Sequence, residues 1–116
     1  MVKYVLCYGT LMSDEVWEGV TGADPEVSRE EASLPGWLKD VGPWGYWEAF
    51  PSDKPGAVLL GVLRPVHDPL TWKYLDRFEG VGIPGAVYER ALVGIELEDG
   101  TVVEAGVYAR IGSARA

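Results

Sequence analysis

The chain has 116 residues, of which 47% are hydrophobic and 24% are charged, and its formal net charge is −8 at pH 7. This composition predicts one compact domain with enough apolar material for a core, and nothing in it indicates a disordered chain. The acidic balance argues against nucleic-acid and membrane partners, because nucleic acids and anionic membranes both bind through a basic surface.

Cysteine content and hydropathy bear on the cellular compartment. The single cysteine, Cys7, lies in an apolar stretch and has no second cysteine with which to form an intrachain disulfide, so a buried structural thiol is the favoured interpretation. No apolar run reaches the length needed to span a membrane, and the N-terminus lacks the pattern of a signal peptide. These features predict a cytoplasmic protein.

The first predicted element is a buried strand over residues 5–8, which breaks at Gly9. Ser13 and the acidic residues after it are typical of a helix start, and the helix is expected to end at Thr21 and Gly22. A strand that leads through glycine to a helix start exposes backbone N–H groups, which can bind a carboxylate or a phosphate. The pattern is common, so on its own it is weak evidence for a ligand site.

The middle of the chain is predicted to be irregular. Residues 25–31 are compatible with a short helix or a loop, and the prolines and glycines of residues 35–57 exclude a long helix. The aromatic residues between these breaks are Trp37, Trp44, Tyr46, Trp47 and Phe50. We favour a role in covering the core over one in lining a substrate pocket or a dimer contact, because tryptophan buries a large area whatever its function.

Residues 57–63 predict a second strand, apolar on both faces as in a barrel or a covered sheet. His67 follows as the only histidine. It has no second histidine or cysteine nearby at a metal-ligand spacing, so we predict no metal site.

Asp68 and Pro69 are typical of a helix N-terminus, and Gly80 is typical of the residue that ends one. The expected inward side chains recur at three-residue steps: Trp72, Leu75 and Phe78. The expected outward ones are Lys73, Asp76 and Arg77. Glu79 continues the apolar stripe. A carboxylate there is costly unless something binds it; a frayed helix end and a functional role both remain open for it.

The C-terminal half predicts a hairpin over residues 88–97 and 101–110. A three-residue loop over 98–100, with Gly100 in the left-handed conformation, sets Ile95 opposite Val103 and Arg90 opposite Tyr108. A two-residue turn would instead set Ile95 against Glu104. Residues 1–110 therefore form a single predicted domain, followed by a short, mobile polar tail at 111–116.

Taken in order, these motifs resemble the gamma-glutamylcyclotransferase family, in its small AIG2-like branch. The motifs that carry the resemblance are the Tyr-Gly-Thr-Leu of residues 8–11, the Gly-Val-Leu of 61–63, the Leu-Asp-Arg-Phe-Glu-Gly of 75–80, the Tyr-Glu-Arg of 88–90 and the Ala-Gly-Val-Tyr of 105–108. The set is specific, although no single member is, and it spans nearly the whole chain.

The resemblance implies an α+β fold, a small closed β-barrel flanked by short helices. It implies release of 5-oxoproline from a γ-glutamyl compound without a cofactor, with Glu79 as the catalytic base and acid. Tyr8, Gly9, Thr10 and Leu11 would cradle the substrate. Tyr8 and Tyr108 are candidates to hydrogen-bond the substrate or to orient Glu79, and core tyrosines with satisfied hydroxyls are the alternative. Arg90 is a candidate to pair with a carboxylate of the substrate, and a structural ion pair within the protein is favoured.

Two other classes of function, a binding module and an interaction domain, are alternatives to an enzyme. The same barrel could hold a small metabolite without turning it over, or the aromatic residues of 44–47 could form an interaction surface. The latter would give a stable oligomer, so a homodimer is left open. The sequence does not decide which γ-glutamyl compound would be the substrate.

Overall fold

The computed structural model describes residues 2–25 and 30–113. Within these residues the elements are β1 (Tyr4–Cys7), α1 (Asp14–Thr21), β2 (Glu30–Pro35), β3 (Trp37–Val41), β4 (Trp47–Pro51), β5 (Val58–Pro65), α2 (Pro69–Glu79), β6 (Tyr88–Glu96) and β7 (Val102–Arg110). A single 3₁₀ turn (Thr10–Met12) connects β1 to α1.

The strands form one mixed sheet with the order β2-β5-β1-β7-β4-β3, and β6 pairs with the β7 strand. β7 runs parallel to β1 and, at one pair of residues, parallel to β4, whereas the other pairings are antiparallel. The sheet curls until β2 lies near β6 and β3 lies near β5. The result is a nearly closed barrel with two helices, which confirms the predicted fold class.

The strand β1 separates two cores, because successive side chains of a strand point to opposite faces. Leu6 belongs to the cluster inside the barrel, with Leu63, Ile95 and Val107. Val5 and Cys7 belong to the cluster beneath the helices, whose other buried members include Leu11, Trp17, Val66, Trp72 and Leu75. Because β1 is buried on both faces, its sequence is a continuous apolar run.

The contact between α2 and β7 depends on a glycine. A Cβ at Gly106 would lie 2.8 Å from the ring of Trp72, which is closer than two carbons can approach. The indole Nε1 of Trp72 also donates a hydrogen bond to the carbonyl oxygen of Val2, at 2.9 Å. The helix is thereby held flat against the outside of the sheet.

Several predicted elements are confirmed. Both helices begin with a side-chain cap, at Ser13 and Asp68, and both end at a glycine with positive φ, 73° at Gly22 and 70° at Gly80. β5 matches the second predicted strand. The hairpin has the predicted register, including Ile95 opposite Val103, and its loop closes through a hydrogen bond from Leu97 N–H to the carbonyl oxygen of Thr101.

The prediction that residues 35–57 are irregular is wrong, because they contain β3 and β4. The prolines lie where no ladder hydrogen bond is lost: Pro35 closes β2, Pro51 closes β4, and Pro43 and Pro55 lie in turns. Gly36, with φ 82°, makes the turn between β2 and β3.

Two further expectations are tested only in part. Glu30 and Glu31 belong to β2, while residues 26–29 of the expected helix or loop lie outside the described residues. Residues 114–116 of the expected mobile tail also lie outside the described residues, whereas Ser113, in the same tail, is buried. In the described part of the chain neither helix is long and apolar enough to cross a membrane.

Candidate functional site

A cavity of about 570 Å³ opens where the end of β1 meets the end of α2. Its walls come from five separate parts of the chain: residues 6–11, residues 45–47 at the start of β4, residues 77–80, residues 87–88 and Tyr108. The volume is in the range of about 300–1,000 Å³ that is typical of small-molecule sites. Of the predicted site residues, Glu79, Tyr8, Gly9, Thr10, Leu11 and Tyr108 all line it.

Glu79 occupies the last position of α2, and its partly buried side chain lines the cavity. Its carboxyl group forms no hydrogen bond or ion pair with a described residue. Burial penalises the charged form and raises the pKa of Glu79 to about 7. An unpaired carboxyl group with this pKa can both accept and donate a proton near neutral pH.

The turn after β1 presents free backbone donors. Its own hydrogen bonds are donated by the N–H groups of Met12, to Gly9 O at 3.0 Å, and of Ser13, to Thr10 O at 3.1 Å. The N–H groups of Gly9, Thr10 and Leu11 are thus left without a described backbone acceptor. A Cβ at Gly9 would meet no heavy atom within 4 Å, so the space beside this turn is open to a ligand.

Two cations that the sequence analysis missed hold the carbonyl groups of this turn. Lys39 Nζ donates to Tyr8 O at 3.1 Å, and Arg64 donates to Leu11 O at 3.1 Å and to Met12 O at 2.8 Å. The C=O and N–H of one trans peptide unit point in opposite directions, so Lys39 fixes the direction of the Gly9 N–H. These hydrogen bonds fix the orientation of the turn.

Arg64 carried a signal in the sequence, whereas Lys39 did not. Arg64 ends an apolar run, and a buried guanidinium is costly unless it is fully bonded. In the structure it is 1% exposed, pairs with Asp14 at 2.8 Å and stacks on Trp17. Lys39 lies on an exposed strand, where lysine is ordinary, and only the tertiary fold brings it to Tyr8.

The hydroxyls of the two predicted tyrosines are both occupied within the protein. Tyr8 Oη donates to the carbonyl oxygen of Tyr108 and accepts from the Ala49 N–H at 3.1 Å. Tyr108 Oη donates to Asp76 Oδ1 at 2.7 Å. Burial raises the pKa of both tyrosines, so both stay neutral. Of the two interpretations left open for them, the structure shows satisfied hydroxyls, and substrate contact through their rings or backbone stays a prediction.

Arg90 lies outside the residues that line the cavity in the described structure. Its Nη1 is 3.4 Å from Asp76 Oδ1, and its guanidinium stacks 4.5 Å from the centre of the Trp72 ring. This arrangement matches the alternative of a structural ion pair. Direct contact of Arg90 with a substrate stays a prediction.

Two predicted orientations on α2 are wrong. Asp76 was expected to face outward but binds Tyr108 on the sheet, because it follows Trp72 by four residues and shares its face. Phe78 was expected to face inward but is 46% exposed at the cavity. Three-residue steps rotate backwards by roughly 60° each, so by Phe78 the stripe has left the buried face.

The aromatic residues of 37–50 have different surroundings in the structure. Trp44 is 71% exposed, so the core-covering interpretation is wrong for it, and Phe50 is partly buried with the Arg110 guanidinium 4.3 Å from its ring centre. Trp37 packs against the barrel core, as favoured from the sequence. Tyr46 and Trp47 instead line the cavity, so the core-covering interpretation is wrong for them. Tyr88 Oη donates to Trp47 O at 2.7 Å, and burial, with Glu79 nearby, raises the pKa of Tyr88 to about 12.

Cys7 lies in the cavity wall but does not supply a nucleophile. It is buried, and desolvation raises the pKa of its thiol to about 12, so the unreactive neutral form dominates. Within residues 2–25 and 30–113 no group of three or more His, Cys, Asp or Glu side chains could hold a metal ion. That the site needs no cofactor stays a prediction.

Solved structures with the same fold include three that differ widely in sequence. The chain is 26% identical to At5g39720.1 from Arabidopsis thaliana, with a TM-score of 0.73, covering 96% of this chain and 70% of that one. It is 20% identical to an uncharacterized protein from Homo sapiens, loc79017, with a TM-score of 0.72 and coverage of 95% and 67%. It is 18% identical to a structure titled gamma-glutamyl cyclotransferase, with a TM-score of 0.70 and coverage of 92% and 65%.

Comparison with curated proteins finds no match. Residues 5–115, however, match the profile of the family described as gamma-glutamyl cyclotransferase, AIG2-like. The match spans nearly the whole chain and includes both the turn after β1 and Glu79. The chain therefore belongs to the gamma-glutamyl cyclotransferase, AIG2-like family.

Proposed function

We propose that this protein is an enzyme that releases 5-oxoproline from a γ-glutamyl amine or amino acid. The observation that carries the proposal is the unpaired carboxyl group of Glu79, with its pKa of about 7, in the same cavity as the free N–H groups of residues 9–11. A proton carrier and a set of anion-binding donors are the two components that this reaction needs.

The substrate supplies its own nucleophile. The α-amine of a γ-glutamyl group can fold back on its γ-carbonyl carbon and close a five-membered ring. Holding the folded conformer in place is worth up to about 7–11 kcal/mol when the geometry is right. In this proposal the N–H groups of residues 9–11 bind the α-carboxylate or the developing oxyanion, and the missing side chain of Gly9 allows close approach.

Glu79 then moves protons. It accepts one proton from the α-ammonium group, and the freed amine forms the new N–C bond with the γ-carbonyl carbon. The amide C–N bond breaks as Glu79 returns that proton to the departing nitrogen. The ring nitrogen loses its second proton, which ends on the departing amine, so the products are 5-oxoproline and the ammonium form of the amine. No serine, cysteine, metal or cofactor takes part.

A panel of γ-glutamyl amino acids and amines tests the proposal, with 5-oxoproline measured by mass spectrometry. We expect turnover by the wild type and a loss of roughly 10²–10⁴-fold in Glu79→Gln, which cannot exchange protons. Asp76→Asn, in the same helix but outside the cavity lining, is the matched control and should still turn over the substrate.

Two outcomes would contradict the proposal. Equal turnover by wild type and Glu79→Gln would show that Glu79 is not the proton carrier. Binding of a γ-glutamyl compound with no product from either protein would favour the competing function, a non-catalytic binding module on the same barrel.

A further inference from the structure

The mouth of the cavity is aromatic and exposed. Tyr46, Trp47 and Phe78 line the cavity, and they are 65%, 47% and 46% exposed. Tyr8, Leu11 and Tyr108, which line the same cavity, are at most 7% exposed. Large aromatic side chains grouped at the rim of a pocket gain burial when a ligand covers them.

The position of this rim assigns it to one part of the substrate. The free N–H groups and Glu79 bind the γ-glutamyl part and its reacting bond in the proposed function. The cavity is larger than that part requires, since about 570 Å³ is in the range for drug-sized ligands. If those groups bind the γ-glutamyl part, the rest of the cavity, with its aromatic rim, is left for the amine that departs.

Hydrogen bonds within the fold hold the backbone of the rim in place. Tyr88 Oη anchors the backbone of Trp47 at 2.7 Å, and the carbonyl of Tyr46 accepts the Gly42 N–H at 2.8 Å. Lys39 Nζ lies 4.8 Å from the centre of the Trp47 ring. A fixed aromatic surface binds a flat ring at a low cost in side-chain entropy.

The charges at the rim select against a cationic amine. Lys39 stacks on Trp47, and Arg77 lines the cavity beside Phe78. A lysine-like leaving group would bring a third positive charge close to these two, whereas a neutral aromatic ring would bring none.

We propose that the preferred substrates are γ-glutamyl conjugates whose departing amine carries an aromatic ring. The inference rests on the proposed function and specifies its substrate. An aromatic amino acid and an aromatic amine without a carboxylate share this ring. The test separates them.

The experiment measures kcat/KM for γ-glutamyl-phenylalanine, γ-glutamyl-phenethylamine, γ-glutamyl-alanine and γ-glutamyl-ε-lysine. We expect each aromatic conjugate to exceed the other two by about tenfold or more, as one well-packed aromatic contact contributes. The preference should fall by about tenfold in Trp47→Ala, and also in Tyr46→Ala. A preference between the two aromatic conjugates would report whether the carboxylate adds to recognition.

Trp44→Ala is the matched control. Trp44 lies in the same loop and is 71% exposed, but it does not line the cavity. It should keep the wild-type preference. Product from all four conjugates at similar kcat/KM would overturn the aromatic inference and leave the proposed function intact. A preference that Trp44→Ala lowers as much as Trp47→Ala does would also overturn it. Absence of product from every conjugate would overturn the proposed function itself.

Discussion

Asp76 and Glu79 lie three residues apart on α2, and their surroundings differ sharply. Asp76 accepts a hydrogen bond from Tyr108 Oη at 2.7 Å and lies 3.4 Å from Arg90 Nη1. Glu79 has no hydrogen bond or ion pair with a described residue, and burial raises its pKa to about 7. The same helix therefore carries one carboxylate bound within the fold and one that is unbound.

The cause of this difference is the position of each carboxylate along α2. Asp76 lies against β7, and the register places Arg90 directly opposite Tyr108 on the neighbouring strand, so both partners meet it. Glu79 lies at the end of α2, in the wall of the cavity. A carboxylate that is buried without a partner is costly for folding, and such positions are typical of functional sites.

The largest expected effect of this difference is on the pH dependence of activity. If Glu79 is the base, kcat/KM should rise with pH to a bend near 7 and then fall as the substrate amine loses its proton. Between pH 7 and pH 5 we expect a loss of roughly 50-fold, because a group with a pKa of about 7 is half ionised at pH 7 and about 1% ionised at pH 5. Initial rates across this range test the prediction.

Circular dichroism at each pH provides the control that the protein stays folded. A bend near pH 4, the ordinary position for a glutamate, would mean that the active carboxylate is not the unpaired one. The comparison with Asp76 would then lose its functional meaning.

A smaller effect is expected on stability. The pKa of Glu79 is higher in the folded state than in the unfolded chain, so between the two values the folded state binds more protons. Its stability therefore falls as pH rises from about 4.5 to about 7. Glu79→Gln keeps the neutral form at every pH and should be more stable than wild type at pH 8, by about 1–3 kcal/mol.

Urea unfolding of both proteins at pH 4 and pH 8 measures this difference. At pH 4 the two proteins should unfold at similar denaturant concentrations, because Glu79 is mostly protonated in both states. An equal difference at the two pH values would show that Glu79 is solvated in the folded protein and that its environment does not differ from that of an ordinary surface carboxylate.

The sequence predicts the position of Glu79 at the end of α2 well. Glu79 continues the apolar stripe of a helix whose two ends are marked by Asp68 and Gly80, and these signals act within a few residues. The hairpin register follows likewise from one local loop. The turn after β1 was predictable for the same reason, although its role depended on the resemblance to a family.

The partners of Asp76, the cations that hold the turn after β1 and the aromatic lining of the cavity were not predictable, because they depend on contacts between distant parts of the chain. Lys39 reaches Tyr8 across 31 positions and Arg64 reaches Leu11 across 53 positions. The spacing of Asp76 from Trp72 could have placed it against the sheet, but its partners Tyr108 and Arg90 lie on β7 and β6 and only the fold brings them to it. Trp47 and Tyr46 reach the cavity only because β4 pairs with β7 at Ala49 and Ala109.

The smallest expected effect is that of removing one bond to Asp76. Tyr108→Phe deletes the hydroxyl that donates to Asp76 and leaves the ion pair with Arg90, so we expect a cost of about 1 kcal/mol in unfolding free energy. Tyr74→Phe is the matched control on the same helix, since that hydroxyl bonds to no described residue, and it should leave stability unchanged. The bend of the pH–activity profile should stay near 7 in Tyr108→Phe, because Asp76 keeps its ion pair with Arg90 and Glu79 is bonded to neither Asp76 nor Tyr108. A shift of that bend would show that the two carboxylates titrate together, and the division of α2 into a structural and a chemical carboxylate would then be wrong.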